Sequence, residues 1–266
     1  VTGILGAFPE ETRILIEHTT NKQTVTVFGI EFVTGELEGR QVVIALTGVG
    51  KVNSAMTTTV LLLHFQPAQV IFTGIAGGLN PALRPGDIVI ADKLAQHDFG
   101  VITADGFRSG GTPNPINAKR NPMLIPADAQ LVVLAQHVAA DITLDPLRVD
   151  GEDRAPAIVT GTVVTGDVFV ASDAKRASLA ENFAADAVEM EGAAVAQVCY
   201  QQGVPFIVLR SLSDNADQRA HEDLERFCKT AASNSARLTM ALMRALTQRE
   251  RDETARAPAS QPAMEP

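Results

Sequence analysis

Val188-Glu189-Met190-Glu191-Gly192 sets two carboxylates into apolar sequence where a short buried strand meets a helix. Further along, the apolar run Phe206-Ile207-Val208-Leu209 leads into Arg210-Ser211-Leu212-Ser213-Asp214-Asn215-Ala216-Asp217, and Ala193 to Gln202 between the two reads as a helix. Strand, helix and strand in succession indicate an α/β domain. Burying a carboxylate in apolar surroundings costs several kcal/mol unless something binds it. In α/β sheets, ligands are held at the edge formed by the carboxyl ends of the strands. Acids and a cation delivered to one such edge by two strands therefore predict an active site there.

The flanking sequence extends the same architecture. Thr2 to Leu5 reads as a buried strand, and Gly6-Ala7-Phe8-Pro9 turns into a helix opening with Glu10-Glu11, acids that suit the positive end of a helix dipole. Strand-like runs near Thr24–Phe28, Ile30–Leu37 and Val42–Leu46, punctuated by Gly29 and Glu38-Gly39, form a meander appended to the first strand. Gly48-Val49-Gly50-Lys51 leads into a helix with Val52, Ala55, Met56, Val60 and Leu63 at helical spacing. Val70-Ile71-Phe72 is a buried strand ending in Thr73-Gly74-Ile75-Ala76-Gly77-Gly78, where small side chains permit close backbone approach. Asp87–Ala91 and Ala157–Val164 are further strands, and a helix spans about Pro126–Ala140. Residues 105–121 are rich in Gly, Pro and Asn and suit a long exposed loop. The last helix starts near His221. From Gln248 on, the sequence is charged and then rich in Ala, Pro and Ser, so the expected division is a single domain over 1–247 and a disordered tail over 248–266.

At 266 residues and 45% hydrophobic, the chain is long enough to bury one large core. It has 22 basic against 31 acidic side chains, a formal charge of −9, and no Lys/Arg run resembling a track for phosphate backbones, so nucleic acid is not the expected partner. Cys199 and Cys228 sit at core-like helical positions without metal-ligand spacing and read as buried free thiols. No apolar run approaches the roughly 18 residues of a membrane-spanning helix. The expected compartment is the cytoplasm, with an exported form left open because the sequence opens on Val1.

Six blocks, in order, resemble the nucleoside phosphorylase superfamily, and within it the 5′-methylthioadenosine/S-adenosylhomocysteine nucleosidases. They are Gly3-Ile4-Leu5-Gly6-Ala7 with Glu10-Glu11, Gly48-Val49-Gly50-Lys51-Val52, Thr73-Gly74 with Ala76-Gly77-Gly78, Gly166-Asp167-Val168-Phe169-Val170, Ala187-Val188-Glu189-Met190-Glu191, and Arg210-Ser211-Leu212-Ser213-Asp214. The resemblance covers nearly everything from Gly3 to about Leu246. It implies a mixed, twisted sheet flanked by helices, a homodimer, a small purine nucleoside as ligand, and neither metal nor cofactor. By the same resemblance Glu11 deprotonates the attacking water, and Asp214 protonates N7 of the purine, oriented by Ser213. Glu191 grips the ribose hydroxyls, Met190 lies against the ribose, Phe169 stacks on the base and the Val170 backbone reads its edge. Phe8 and Val49 line the ribose and 5′ pocket, Ala76 and Gly77 belong to the substrate site, and Arg210 holds the water or the acidic cluster.

From the residues alone, Glu11 better suits a solvated helix-dipole acid and Phe169 a core aromatic, and Asp214 suits a turn residue and Arg210 a structural ion pair. Neither glycine-rich turn after the first two parallel strands carries an arginine, and an entering anion meets Glu11, so water is favoured over phosphate as nucleophile. The chain departs from the family pattern at Ile75, where the family has a serine, at Leu224, where it has an aromatic, and along His97–Asp105, a segment that in the family caps the neighbouring subunit's 5′ pocket. The alternatives are a futalosine-type or other purine nucleosidase, a phosphorylase, or a nucleoside-binding module without turnover.

Overall fold

A computed structural model of the chain describes residues 1–149 and 151–256. In chain order the elements are β1 (Thr2–Gly6), α1 (Pro9–His18), β2 (Thr20–Val27), β3 (Ile30–Leu37), β4 (Arg40–Leu46), α2 (Lys51–Phe65), β5 (Gln69–Gly78), β6 (Ile88–Gln96), β7 (Gly100–Thr103), β8 (Gly106–Ser109) and β9 (Ile125–Pro126). They continue with α3 (Ala129–Asp141), β10 (Leu147–Val149), β11 (Glu152–Arg154), β12 (Ile158–Thr165), α4 (Asp173–Phe183), β13 (Ala185–Glu189), α5 (Gly192–Gln202), β14 (Phe206–Asp214) and α6 (Ala220–Arg256).

A mixed sheet runs in the order β13-β12-β6-β14-β5-β1-β4-β3-β2. β1 is parallel to both β4 and β5, β5 is parallel to β14, and β14 is antiparallel to β6. The meander β2-β3-β4 is joined to β1, as its sequence implies. The sheet also closes on itself: β13, already parallel to β12, pairs antiparallel with the far end of β5 through Ala187↔Gly78 and Val188↔Gly77. Apolar residues of α1, α3 and α6 fill one face (Leu15, Leu131, Leu238, Leu242), and α2 and α5 fill the other (Leu61, Val195, Cys199).

Several expectations need correction. Thr73–Gly78 continues β5 rather than forming a turn, because its small residues admit β13 and β14 as neighbours. Likewise Arg210–Asp214 belongs to β14, which is buried along its whole length. In α2 the inward residues are Ser54, Thr57, Thr58 and Leu61, while Val52 (78% exposed), Met56 and Leu63 face outward. Ser54 and Thr58 donate to the carbonyls of Gly50 and Ser54 one turn back, so their hydroxyls are satisfied locally and the side chains pack as small apolar groups against the Ala-rich α5.

The 105–121 segment is mostly exposed, as expected, but carries structure of its own. Its start completes the β7–β8 hairpin, and Asn114 and Asn121 are buried and bonded to each other at 3.2 Å. α6 runs to Arg256, past the expected limit at 247, because ion pairs Arg40–Glu250 (2.7 Å) and Arg244–Glu38 (2.6 Å) tie it to the meander. The remainder of the expected tail, 257–266, lies outside the described residues. Among the described residues no helix is long and apolar enough to cross a membrane.

Candidate active site

The carboxyl ends of β1, β5, β13 and β14 surround a cavity of about 390 Å³. Every residue the sequence nominates lines it except Arg210. Glu11, Glu191, Ser213 and Asp214 form its polar side, and Phe8, Val49, Ala76, Gly77, Phe169, Val170 and Met190 complete the wall.

Glu11 is 2% exposed despite its place in a first helical turn, which rules out the solvated-acid reading. Its Oε1 accepts from the Ile75 amide at 2.9 Å and its Oε2 from the Ala7 amide. Burial pushes its carboxyl above the usual carboxylate range, against the downward pull of Arg210 and the backbone donors. Gly74 is required beside it: a Cβ there would lie 2.3 Å from Glu11 Oε1 and 2.7 Å from Arg210 Nη1. Gly74→Ala is therefore expected to destabilise the fold by about 1–3 kcal/mol, the usual cost of overpacking, measured as a lower denaturation midpoint, and to impair turnover with it.

Arg210 is sealed beneath the cavity floor, and of its two expected roles the structure shows the hold on the acidic cluster rather than a place on the cavity wall. It is fully buried with Cζ 4.0 Å from the Phe72 ring centroid, and Nη2 donates to Glu189 Oε2 at 2.7 Å and lies 4.0 Å from Glu191 Oε2. Burial opposes its charge, but Glu189, Glu11 and Glu191 hold it protonated. Glu189 is structural. It also accepts from the Thr165 hydroxyl and from the amides of Glu191 (3.0 Å) and Gly192 (2.7 Å), the free donors at the start of α5. That leaves Glu191 facing the cavity, its Oε1 accepting from the Gly50 amide at 2.9 Å. Burial and the Glu189 charge push the Glu191 carboxyl up.

Asp214 is placed by a bulge. The β14–β5 register shifts between Leu212 and Asp214, which sets Asp214 opposite Gly77. A Cβ on Gly77 would fall 2.8 Å from Asp214 Oδ1, so glycine makes room for the acid. Oδ1 accepts from the Ala216 amide at 2.8 Å, and Oδ2 is 2.8 Å from the Ser213 hydroxyl. Burial, with smaller repulsion from Asp223 and Asp217, raises the Asp214 carboxyl above its ordinary range and favours its proton.

Phe169 is 41% exposed at the rim, which excludes a core role, and its ring stacks on His221 with centroids 4.6 Å apart. His221 was not singled out in the sequence, where an exposed His at a helix start carries no signal. Val168, Val188, Glu10 and Cys228 also line the cavity and were likewise not assigned to it. Cys228 is half-buried against the cavity rather than in the core, and burial pushes its thiol up to about 11, so it stays protonated near neutral pH. Ile75 and Leu224 are on the wall as well, so both departures from the family pattern fall inside the site. Among the described residues no set of three His, Cys, Asp or Glu side chains is arranged to hold a metal ion.

Sheet and cavity together are those of the Phosphorylase superfamily, whose family pattern matches residues 1–244. The chain is 41% identical to a 5′-methylthioadenosine/S-adenosylhomocysteine nucleosidase of Geobacillus thermodenitrificans, over 90% of this chain and 94% of the relative. Within the superfamily it therefore belongs to the 5′-methylthioadenosine/S-adenosylhomocysteine nucleosidase family. It also superposes on the nucleosidase of Colwellia psychrerythraea crystallised with adenine, with TM-score 0.80, 36% identity, and 92% and 95% of the two chains covered. The futalosine hydrolase of Helicobacter pylori is similar too, with TM-score 0.77, 34% identity, and 91% and 96% covered.

Proposed function

We propose that the protein hydrolyses the N-glycosidic bond of 5′-methylthioadenosine or S-adenosylhomocysteine and releases adenine. The observation that carries this reading is the convergence of Glu11, Glu191 and Asp214, three buried acids in different environments, on one cavity. Glu11 takes a proton from water as its oxygen bonds to C1′ of the ribose. The C1′–N9 bond breaks with its electron pair going to the purine, and Asp214 delivers a proton to N7, so adenine leaves neutral. Glu191, acceptor-only when ionised, receives the ribose hydroxyls, and its charge stabilises the cationic character that develops on the ring. Met190 and Phe8 flank the sugar, Phe169 backed by His221 stacks on the base, and Val170 reads its edge. Arg210 acts as a positioning residue through Glu189 and Glu11.

Water rather than phosphate is supported as nucleophile by the lining: its ionisable groups are carboxylates and a protonated thiol, and Arg210 is sealed behind Glu189. The test is adenine release from both nucleosides in phosphate-free buffer. No release would overturn the reading, and a strict phosphate requirement would replace hydrolysis by phosphorolysis. A second reading, a nucleosidase for another 5′ substituent, is favoured by Ile75 and Leu224 on the wall; faster cleavage of a futalosine-type nucleoside in the same assay would select it.

The pH profile follows from the two proton transfers. Glu11 must be ionised and Asp214 protonated, and burial raises both. Activity is thus expected to fall on the acid side as Glu11 and Glu191, both raised above the ordinary carboxylate range, gain protons, and on the alkaline side as Asp214 loses its own. A kcat/KM profile flat across this span would contradict the assignment.

The working unit is a homodimer. Support comes from Val52, Met56 and Leu63 on α2, exposed apolar side chains on the helix that starts beside the cavity residue Val49, and from exposed Val101 and Ile102 on the β7–β8 hairpin. Val52→Asp with Met56→Asp is expected to give a monomer by light scattering, with KM raised roughly tenfold, the loss of about 1.4 kcal/mol of binding. The unpaired thiols Cys199 and Cys228 are in keeping with the reducing cytoplasm as its compartment.

A further inference from the structure

A second cleft shares a wall with the catalytic cavity. Ser213 and Asp214 line the cavity, and Asn215 the cleft; on α6, Leu224 and Cys228 face the former, Asp223 and Arg226 the latter. The cleft has a volume of about 250 Å³, and four arginines from four segments line it: Arg84 between β5 and β6, Arg176 on α4, Arg219 before α6 and Arg226 within it. Among the described residues none of the four takes part in an ion pair. Asp223 is the one acid on the described lining.

This arrangement runs against the chain's composition. In a protein with 31 acidic and 22 basic side chains, four arginines line this one cleft, and the lining carboxylate that offsets them, Asp223, interacts with only Arg219 and Arg226. Like charges gathered in one recess repel one another, and an anion seated among them offsets that cost. Arginine is also the side chain suited to the task, since its planar fork of donors matches an oxyanion two bonds at a time. Arg226 is partly fixed already, with Cζ 4.9 Å from the Phe227 ring centroid and Nη2 donating to the Arg148 carbonyl at 3.4 Å.

We propose that this cleft binds a phosphate dianion, either free or as the terminal group of a small phosphate ester. The site is distinct from the catalytic cavity and does not supply the nucleophile, because the wall bearing Asp214 and Leu224 stands between them. The inference is independent of the substrate assigned above.

The test is calorimetric titration of the full chain, in a buffer free of sulfate and phosphate, with inorganic phosphate and separately with glycerol phosphate. Saturable binding of one anion per chain is expected. Arg84→Gln with Arg176→Gln should weaken it at least about tenfold, and Asp223→Asn should tighten it about threefold or more, since repulsion of the anion is removed. Circular dichroism of both variants keeps misfolding from passing as lost binding, and the Asp223→Asn gain does not depend on the arginine variant folding. Tighter binding of the ester assigns the cleft to a phosphorylated metabolite, and tighter binding of phosphate assigns it to the free ion. Absence of saturable binding below about 10 mM, or affinity unmoved by the two arginine substitutions, would overturn the proposal.

Discussion

Asp214→Asn is expected to lower kcat for adenine release by about 10²–10⁴-fold, the range for loss of a placed acid, while KM changes little. The amide is isosteric, and its oxygen still accepts from the Ala216 amide while its NH₂ donates to the Ser213 hydroxyl, so the local structure survives. It can hydrogen-bond N7 but has no proton to give, so only the chemical step suffers. The alkaline limb of the pH profile should vanish with it, because that limb is the ionisation of Asp214. Retention of most of the wild-type kcat would remove Asp214 from its role.

Glu11→Gln should cost a similar 10²–10⁴-fold in kcat, with a signature of its own. Two backbone amides, Ala7 and Ile75, donate to separate oxygens of Glu11. A glutamine offers one oxygen and one NH₂, so one buried donor must face another, and Arg210 loses a compensating charge. A destabilisation of about 1–3 kcal/mol is therefore expected, whereas Asp214→Asn, whose two partners differ in donor capacity, should unfold near the wild-type temperature. Thermal unfolding of the pair separates the cases. Equal stability would show that the Glu11 contacts are weaker than their geometry implies.

These two residues also mark how far the sequence could be read. The strand-helix-strand alternation and the acids at strand ends follow from composition and period, and so α5, β13, β14 and the cavity they frame were legible. Glu11 was not legible by itself, since only the fold brings the β5 backbone over a helix start to bury it. The role of Arg210 stayed open for a related reason: a cation among acids looks the same in sequence whether it meets ligand or is sealed under Phe72. The inward face of α2 escaped because its hydroxyls are satisfied within the helix, which turns nominally polar residues into packing residues. The end of α6 escaped because its support comes from Arg40 and Glu38, some two hundred positions away. The arginine cleft was invisible because its members are scattered from 84 to 226 and meet only in three dimensions.

The pairing of β13 with the end of β5 bears on how this site can change over evolution. Asp214 and Glu191 are both anchored on the closed ring, and Gly77, which makes room for Asp214, is itself a rung of the β13–β5 ladder. A mutation that separated the acid from the ribose grip would have to break backbone hydrogen bonds in the interior of the sheet. Ile75, Leu224, Val49 and Cys228 carry no such constraint, because their side chains only paper the wall. New nucleoside preferences should therefore arise by substitution at those four positions, with the spacing of the reacting groups inherited unchanged.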